Sequence, residues 1–240
     1  MRKILLFAFL LTSLFATSCG DEEITRDPDA IGYQYYPLEV GNYWIFNVTE
    51  NTYRRNEVEN TTTYQTRERI DAITKDQEGR EWYRVELSRR STEGSNWVIN
   101  GVRLISRSAT DLRVQENNST YVRMVYPVEE GRSFITNAFL GGGSETKVYL
   151  TYQDLGKPYA EDGLDYATTL TVKQADFEEF LDKKEATEVL AWGVGPIKRS
   201  TINYDYCNPA SGESDCAVGT NFIVSGTDKT ELLVSSGKAE

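Results

Sequence analysis

Two carboxylates can hydrolyse a glycosidic bond without help from an imidazole, and this chain offers 37 Asp and Glu side chains and no histidine. With so many acids, spacing singles out no pair. The missing histidine removes the usual general base, the usual activator of a Ser or Cys nucleophile and the commonest zinc ligand. No Gly-x-Ser-x-Gly elbow is present. Gly141-Gly142-Gly143-Ser144 lacks the Gly-Lys-Ser/Thr ending of a phosphate cradle. Acids cluster at Glu161-Asp162-Gly163-Leu164-Asp165 and at Asp176, Glu178, Glu179 and Asp182. They offer oxygens of the kind calcium takes but lack EF-hand spacing, and they read as solvated faces. The sequence therefore names no catalytic residue, no metal ligand and no cofactor. A non-enzymatic binding or assembly role is expected. A carboxylate-dependent glycan hydrolase is the enzymatic alternative.

The cysteines divide by position. Residues 1–18, MRKILLFAFLLTSLFATS, run from Arg2 and Lys3 through an apolar stretch to small residues. That order marks a secretory signal peptide. The apolar stretch is shorter than the roughly 20 residues that span a bilayer. Ala16-Thr17-Ser18-Cys19 resembles a bacterial lipobox, in which cleavage before the cysteine exposes it for lipidation. Cys19 is thus the expected lipid attachment site, and the membrane is the expected partner through that anchor. The acidic run Gly20-Asp21-Glu22-Glu23 resembles the surface-export signal of Bacteroidota lipoproteins. This implies an outer-membrane location, facing outward, with the periplasmic face as the alternative. Cys207 and Cys216 close the stretch CNPASGESDC. In an oxidising exterior they are expected to form a disulfide. Two free thiols or a metal pair are the alternatives.

Removal of the signal leaves 24 basic against 37 acidic side chains, a net charge of −13. Nucleic acid is excluded as a partner, because phosphate binding needs a basic surface. Anionic headgroups repel such a domain too, so attachment rests on the lipid. Residues 19–32, polar and broken by Pro28 and Gly32, read as a lipidated cysteine and acidic tether. A flexible tether of this length reaches about 20 Å.

Residues 33–240 read as a single β-rich domain. Tyr is abundant at fifteen, and apolar residues alternate with polar ones. Tyr83, Val85 and Leu87 share one face of REWYRVELSRR, while Trp82, Arg84 and Glu86 share the other. Val122, Met124 and Tyr126 oppose Tyr121 and Arg123. Val148, Leu150 and Tyr152 oppose Lys147 and Thr151. Ile202, Tyr204 and Tyr206 oppose Thr201, Asn203 and Asp205. A period of two marks strands with one dry and one wet face, typical of antiparallel sheets. Turns are expected at 76–79, 93–95, 117–118 and 225–228, with ten to twelve strands in all. Residues 175–184 carry helical spacing at Phe177, Phe180 and Leu181, and read as one short helix or an irregular crossing. If the sheet curves, Trp82, Arg84 and Glu86 become a candidate ligand face for a lipid or glycan.

YPLEVGNYWIFN (36–47) and YPVEEGRSFITN (126–137) match at six of twelve positions, 90 residues apart. Pro, Gly and an aromatic recur, which reads as one turn-and-plug device used twice. A duplicated ligand-binding turn is the alternative. The first copy also resembles an opening found in small secreted or lipidated proteins of Bacteroidota, and EVLAWGVGPIKR (188–199) resembles their later Gly-Val-Gly segment. The resemblance covers the ends of the chain better than its middle. It implies a fold more than an activity: a large antiparallel sheet curved into an open or partly closed barrel. By analogy of fold alone, it implies an envelope accessory, or a carrier or receptor for an apolar ligand.

Overall fold

The computed structural model describes residues 28–140, 146–174, 177–178, 180–208 and 216–239. Cys19, the Gly141–Ser144 loop and most of the loop between Cys207 and Cys216 lie outside them. The described residues make thirteen strands: β1 (Asn42–Arg54), β2 (Glu57–Lys75), β3 (Glu81–Arg90), β4 (Val98–Arg107), β5 (Asp111–Glu116), β6 (Ser119–Val125), β7 (Ser133–Ile135), β8 (Tyr149–Glu161), β9 (Leu164–Gln174), β10 (Phe177–Glu178), β11 (Asp182–Ala191), β12 (Gly195–Tyr206) and β13 (Ile223–Lys238). They form one sheet in the order β6-β5-β4-β3-β2-β1-β13-β12-β11-β9-β8-β7, with β10 paired to β11. The all-β reading holds.

The two ends of the sheet nearly meet. Val122 N–H on β6 donates to Thr136 O, just past β7, at 2.8 Å. Tyr152 of β8 clips the same edge: its hydroxyl accepts from Val125 N–H at 2.7 Å and donates to Val125 O at 2.9 Å. Tyr152 is fully buried. Removing that hydroxyl takes the partner from two half-buried backbone groups, so Tyr152→Phe is expected to cost about 1–3 kcal/mol in urea unfolding. A loss no larger than an exposed Tyr→Phe change would refute this closure.

The predicted turn at 117–118 is a two-residue hairpin with both Asn in the left-handed region, φ 49° and 61°. The predicted turn at 225–228 is absent, for those residues lie within β13. Gly226 is there for close approach: a Cβ would stand 2.6 Å from Asn203 O and 2.7 Å from the Tyr204 ring. Its strand neighbours Tyr53 and Tyr204 pack edge to face at 5.2 Å. Residues 175–184 do not form the expected helix, since Phe177–Glu178 and Asp182 to Lys184 are strand and pair with each other or with β12. Residues 175, 176 and 179 lie outside the described residues. The folded unit also begins earlier than Tyr33. Pro28–Ile31 form one helical turn, α1. Ile31 O accepts from Val128 N–H at 3.0 Å.

The two copies of the repeated motif sit in matching roles. Tyr36, Leu38, Tyr126 and Val128 are buried together. Gly41 and Gly131 both take positive φ, 98° and 75°. Each donates its N–H across to a strand carbonyl, of Ile70 and of Tyr152 respectively. Trp44 and Phe134 then open β1 and β7 as buried plugs. The Gly-Val-Gly segment packs on the first copy: Trp44 Nε1 donates to Val194 O at 2.6 Å. A Cβ on Gly195 would meet Trp44 Nε1 at 2.9 Å.

Candidate functional site

Six strands carry the same inward gradient. From the end closed by Tyr36 and Trp44, β12 presents Ile197, then Arg199, then Thr201. β11 presents Leu190, then Glu188. β13 presents Leu233, then Glu231. β2 presents Ile70, then Glu68; β4 presents Ile105, then Arg103; β5 presents Val114, then Glu116. Residues paired across strands lie on one face, and the register joins Glu188 to Arg199 and Arg199 to Glu231. The interior therefore changes from hydrocarbon to charge about halfway along.

Arg199 is the hub of the charged layer. Its Nη1 donates to Glu68 Oε1 at 2.6 Å and to Glu231 Oε2 at 3.1 Å. Its Nη2 donates to Glu68 Oε2 at 3.2 Å and its Nε to Glu188 Oε1 at 2.8 Å. The guanidinium also lies 4.8 Å from the centre of the Phe46 ring. Arg103 bridges Glu68 at 3.3 Å and Glu116 at 3.1 Å, and Lys229 reaches Glu231 at 2.6 Å. Arg123 pairs with Glu188. It gets there because it is the extra residue of a β-bulge: Leu112 pairs with Met124 and Arg113 with Val122. Bulges re-aim side chains in this way.

Burial alone would raise the Glu68 carboxyl. Arg199, Arg103 and Arg123 more than reverse this and hold it well below the ordinary glutamate value. Glu231 is buried too, and Arg199 and Lys229 bring it below its ordinary value. Burial works against the Arg199 charge, but the surrounding glutamates win and raise its pKa. Glu68, Glu231 and Arg199 are thus charged at neutral pH.

Two cavities flank the layer. One, of about 270 Å³, is lined by Arg103, Arg123, Glu116 and Glu188 together with Val114, Leu150, Val172 and Ala186. The second, of about 380 Å³, is more polar and shares Arg103, Glu116, Arg123 and Arg199 with the first. Arg123 Nε and the Tyr36 hydroxyl are buried with no hydrogen-bond partner.

The residues predicted as a ligand face lie elsewhere. Trp82, Arg84 and Glu86 stand on the face opposite Val85, which is fully buried in the core. The sheet curves toward Val85, so its concave side holds Tyr83, Val85 and Leu87, and the three predicted residues point outward. They are engaged there. Trp82 Nε1 donates to Asp76 at 3.0 Å, Arg84 forks onto Asp71 at 2.9 and 2.6 Å, and Glu86 takes Arg67 and Arg69 at 3.1 and 3.2 Å. Cys207 and Cys216 form the disulfide. Asp162, from the first acidic cluster, turns a hairpin and pairs with Lys198. Among the described residues no group of three or more Cys, Asp and Glu is placed to hold a metal ion. Among them also, no helix is long and apolar enough to cross a membrane.

The charged interior went unseen in the sequence although a signal existed. In RERI, VRLI, EVL, IKR and TELL a charge stands two residues from an apolar side chain on the same face. One such position reads as a strand end; five in one sheet point to a polar layer.

No protein-family model matches the chain, and no curated protein matches it. Among solved structures, a Bacteroides fragilis NCTC 9343 protein with a YmcC-like fold, provisionally described as exported, aligns over 85% of this chain and 98% of its own. The TM-score is 0.34 and the identity 10%. A likeness at that level carries no argument about activity or location.

Proposed function

We propose that this chain is an outer-membrane lipoprotein, anchored through Cys19, that binds a partner without transforming it. The barrel is its receptor body and the charged mouth its binding site. The observation that carries this reading is the cavity of about 270 Å³, lined by both hydrocarbon and guanidinium groups. Small-molecule sites are concave and mostly apolar, with a few placed polar groups. The interior is no continuous apolar trough, since the charged layer crosses it, and this favours a small ligand over a long-chain lipid. A hydrolytic role would call for a carboxyl raised to serve as acid. The carboxyls of Glu68 and Glu231 are shifted the other way.

An assembly role, the second reading, is favoured by β4. Its residues Val98, Ile99 and Val102 are exposed, and β5 pairs with β4 only from Leu104 onward. An uncovered apolar edge is a template for another strand.

Anchoring is tested directly. Cys19→Ala is expected to abolish metabolic labelling with a fatty acid and to release the chain from the membrane fraction or leave it unprocessed. Undiminished labelling would overturn the anchor. Protease accessibility on intact cells then separates the outward from the periplasmic face.

A further inference from the structure

Arg199 is saturated by three glutamates, but Arg123 is not. It gives an N–H group to Glu188, while its Nε, buried from solvent, donates to nothing. A buried donor without an acceptor is costly, and almost all buried donors in folded proteins are paired. Arg123 lines the smaller cavity together with Arg103, Val114, Leu150, Val172 and Ala186. At about 30 Å³ per water in the liquid, a space of about 270 Å³ holds a molecule of roughly ten non-hydrogen atoms. Such a molecule would meet both guanidinium groups and hydrocarbon.

We infer that the barrel mouth binds a small amphipathic monocarboxylate, its carboxylate received by Arg123 beside Arg103 and its apolar body laid against Val114, Leu150, Val172 and Ala186. The planar guanidinium matches a carboxylate in shape and charge. Glu116 and Glu188 stand next to these arginines and repel a second negative charge, which disfavours a dianionic phosphate. Arg123 is held in place by its bulge and by Glu188, so the site is set before the ligand arrives and little ordering is needed on binding. This inference rests on the reading of the chain as a binding protein and names the class of ligand.

The test is calorimetric titration of the mature, lipidated chain in nanodiscs with 3-phenylpropionate and with 3-phenylpropionamide, blanked against empty nanodiscs. The acid and the amide have the same size and shape and differ in charge. Saturable one-to-one binding of the acid is expected, with the amide at least about tenfold weaker. Arg123→Gln is expected to weaken the acid at least about tenfold while leaving the amide unchanged. Ala186→Phe, which fills the apolar wall, is expected to weaken both. Equal binding of acid and amide would overturn the inference, as would full acid binding by a folded Arg123→Gln protein or no saturable binding of the acid. The acid–amide comparison uses the unsubstituted chain, so it stands even where a variant fails to fold. A molecule of another class retained from the native envelope would sustain the binding reading and sink this one.

Discussion

Arg199→Leu is expected to destabilise the barrel by about 3–5 kcal/mol, because it strips the partner from buried carboxylates while leaving them in place. Glu68, Glu188 and Glu231 all converge on this guanidinium. Glu68 and Glu231 are buried. Urea unfolding measures the loss. A cost within about 0.5 kcal/mol, the range of ordinary surface changes, would mean that the layer is wet and loosely paired. The double variant Glu68→Leu with Arg199→Leu is expected to lose less than the sum of the singles, since each removes the same interaction. The pH dependence has a definite sign. The folded Glu68 and Glu231 carboxyls lie below their ordinary values. Their contribution is present above the unfolded glutamate pKa of about 4.3 and is lost as pH falls through the folded values. Stability is therefore expected to decline below about pH 4.3, and Glu68→Gln to make that decline shallower.

Trp44→Ala is expected to cost a similar amount, about 3–5 kcal/mol, through the cavity left by a buried indole. Trp44 is 1% exposed. It packs 5.9 Å from the Tyr36 ring and bonds to Val194 O. It thus joins the opening motif to the Gly-Val-Gly segment, 150 residues away. Gly195→Ala probes the same contact from the other side. At φ 99°, with the indole 2.9 Å from any Cβ, alanine is strained in backbone and in packing. If thermal melts showed either variant near the parent, the two motifs would not be mutual supports.

Much of this fold was legible because its causes are local. Alternation along REWYRVELSRR placed Val85 in the core, and Asn117-Asn118 announced its hairpin. The repeated Tyr-Pro, Gly and aromatic signalled two plugs, and both are buried. Two errors share one cause. Ser225-Gly226-Thr227-Asp228 has the composition of a turn, and what keeps it in a strand is the Tyr53–Tyr204 contact across Gly226, which no local pattern carries. Trp82, Arg84 and Glu86 form a ligand face only if curvature encloses the polar side. The direction of curvature depends on the whole set of buried side chains, and it enclosed Val85 instead. The charged layer was hidden for a related reason. Near the mouth the inner face is polar, so Ile202 and Tyr204 are the outward residues of β12 while Arg199 and Thr201 line the interior. A rule that sends apolar side chains inward is valid for the first half of β12 and inverts in the second.

The most direct test of the barrel as a receptor is native mass spectrometry of the full chain, released gently from its own envelope. The account predicts the lipidated mass carrying one small adduct, absent from Arg123→Gln protein prepared in the same way. A bare lipidated mass from the unsubstituted chain would contradict it. The exposed edge of β4 would then be the surface on which to look for a partner.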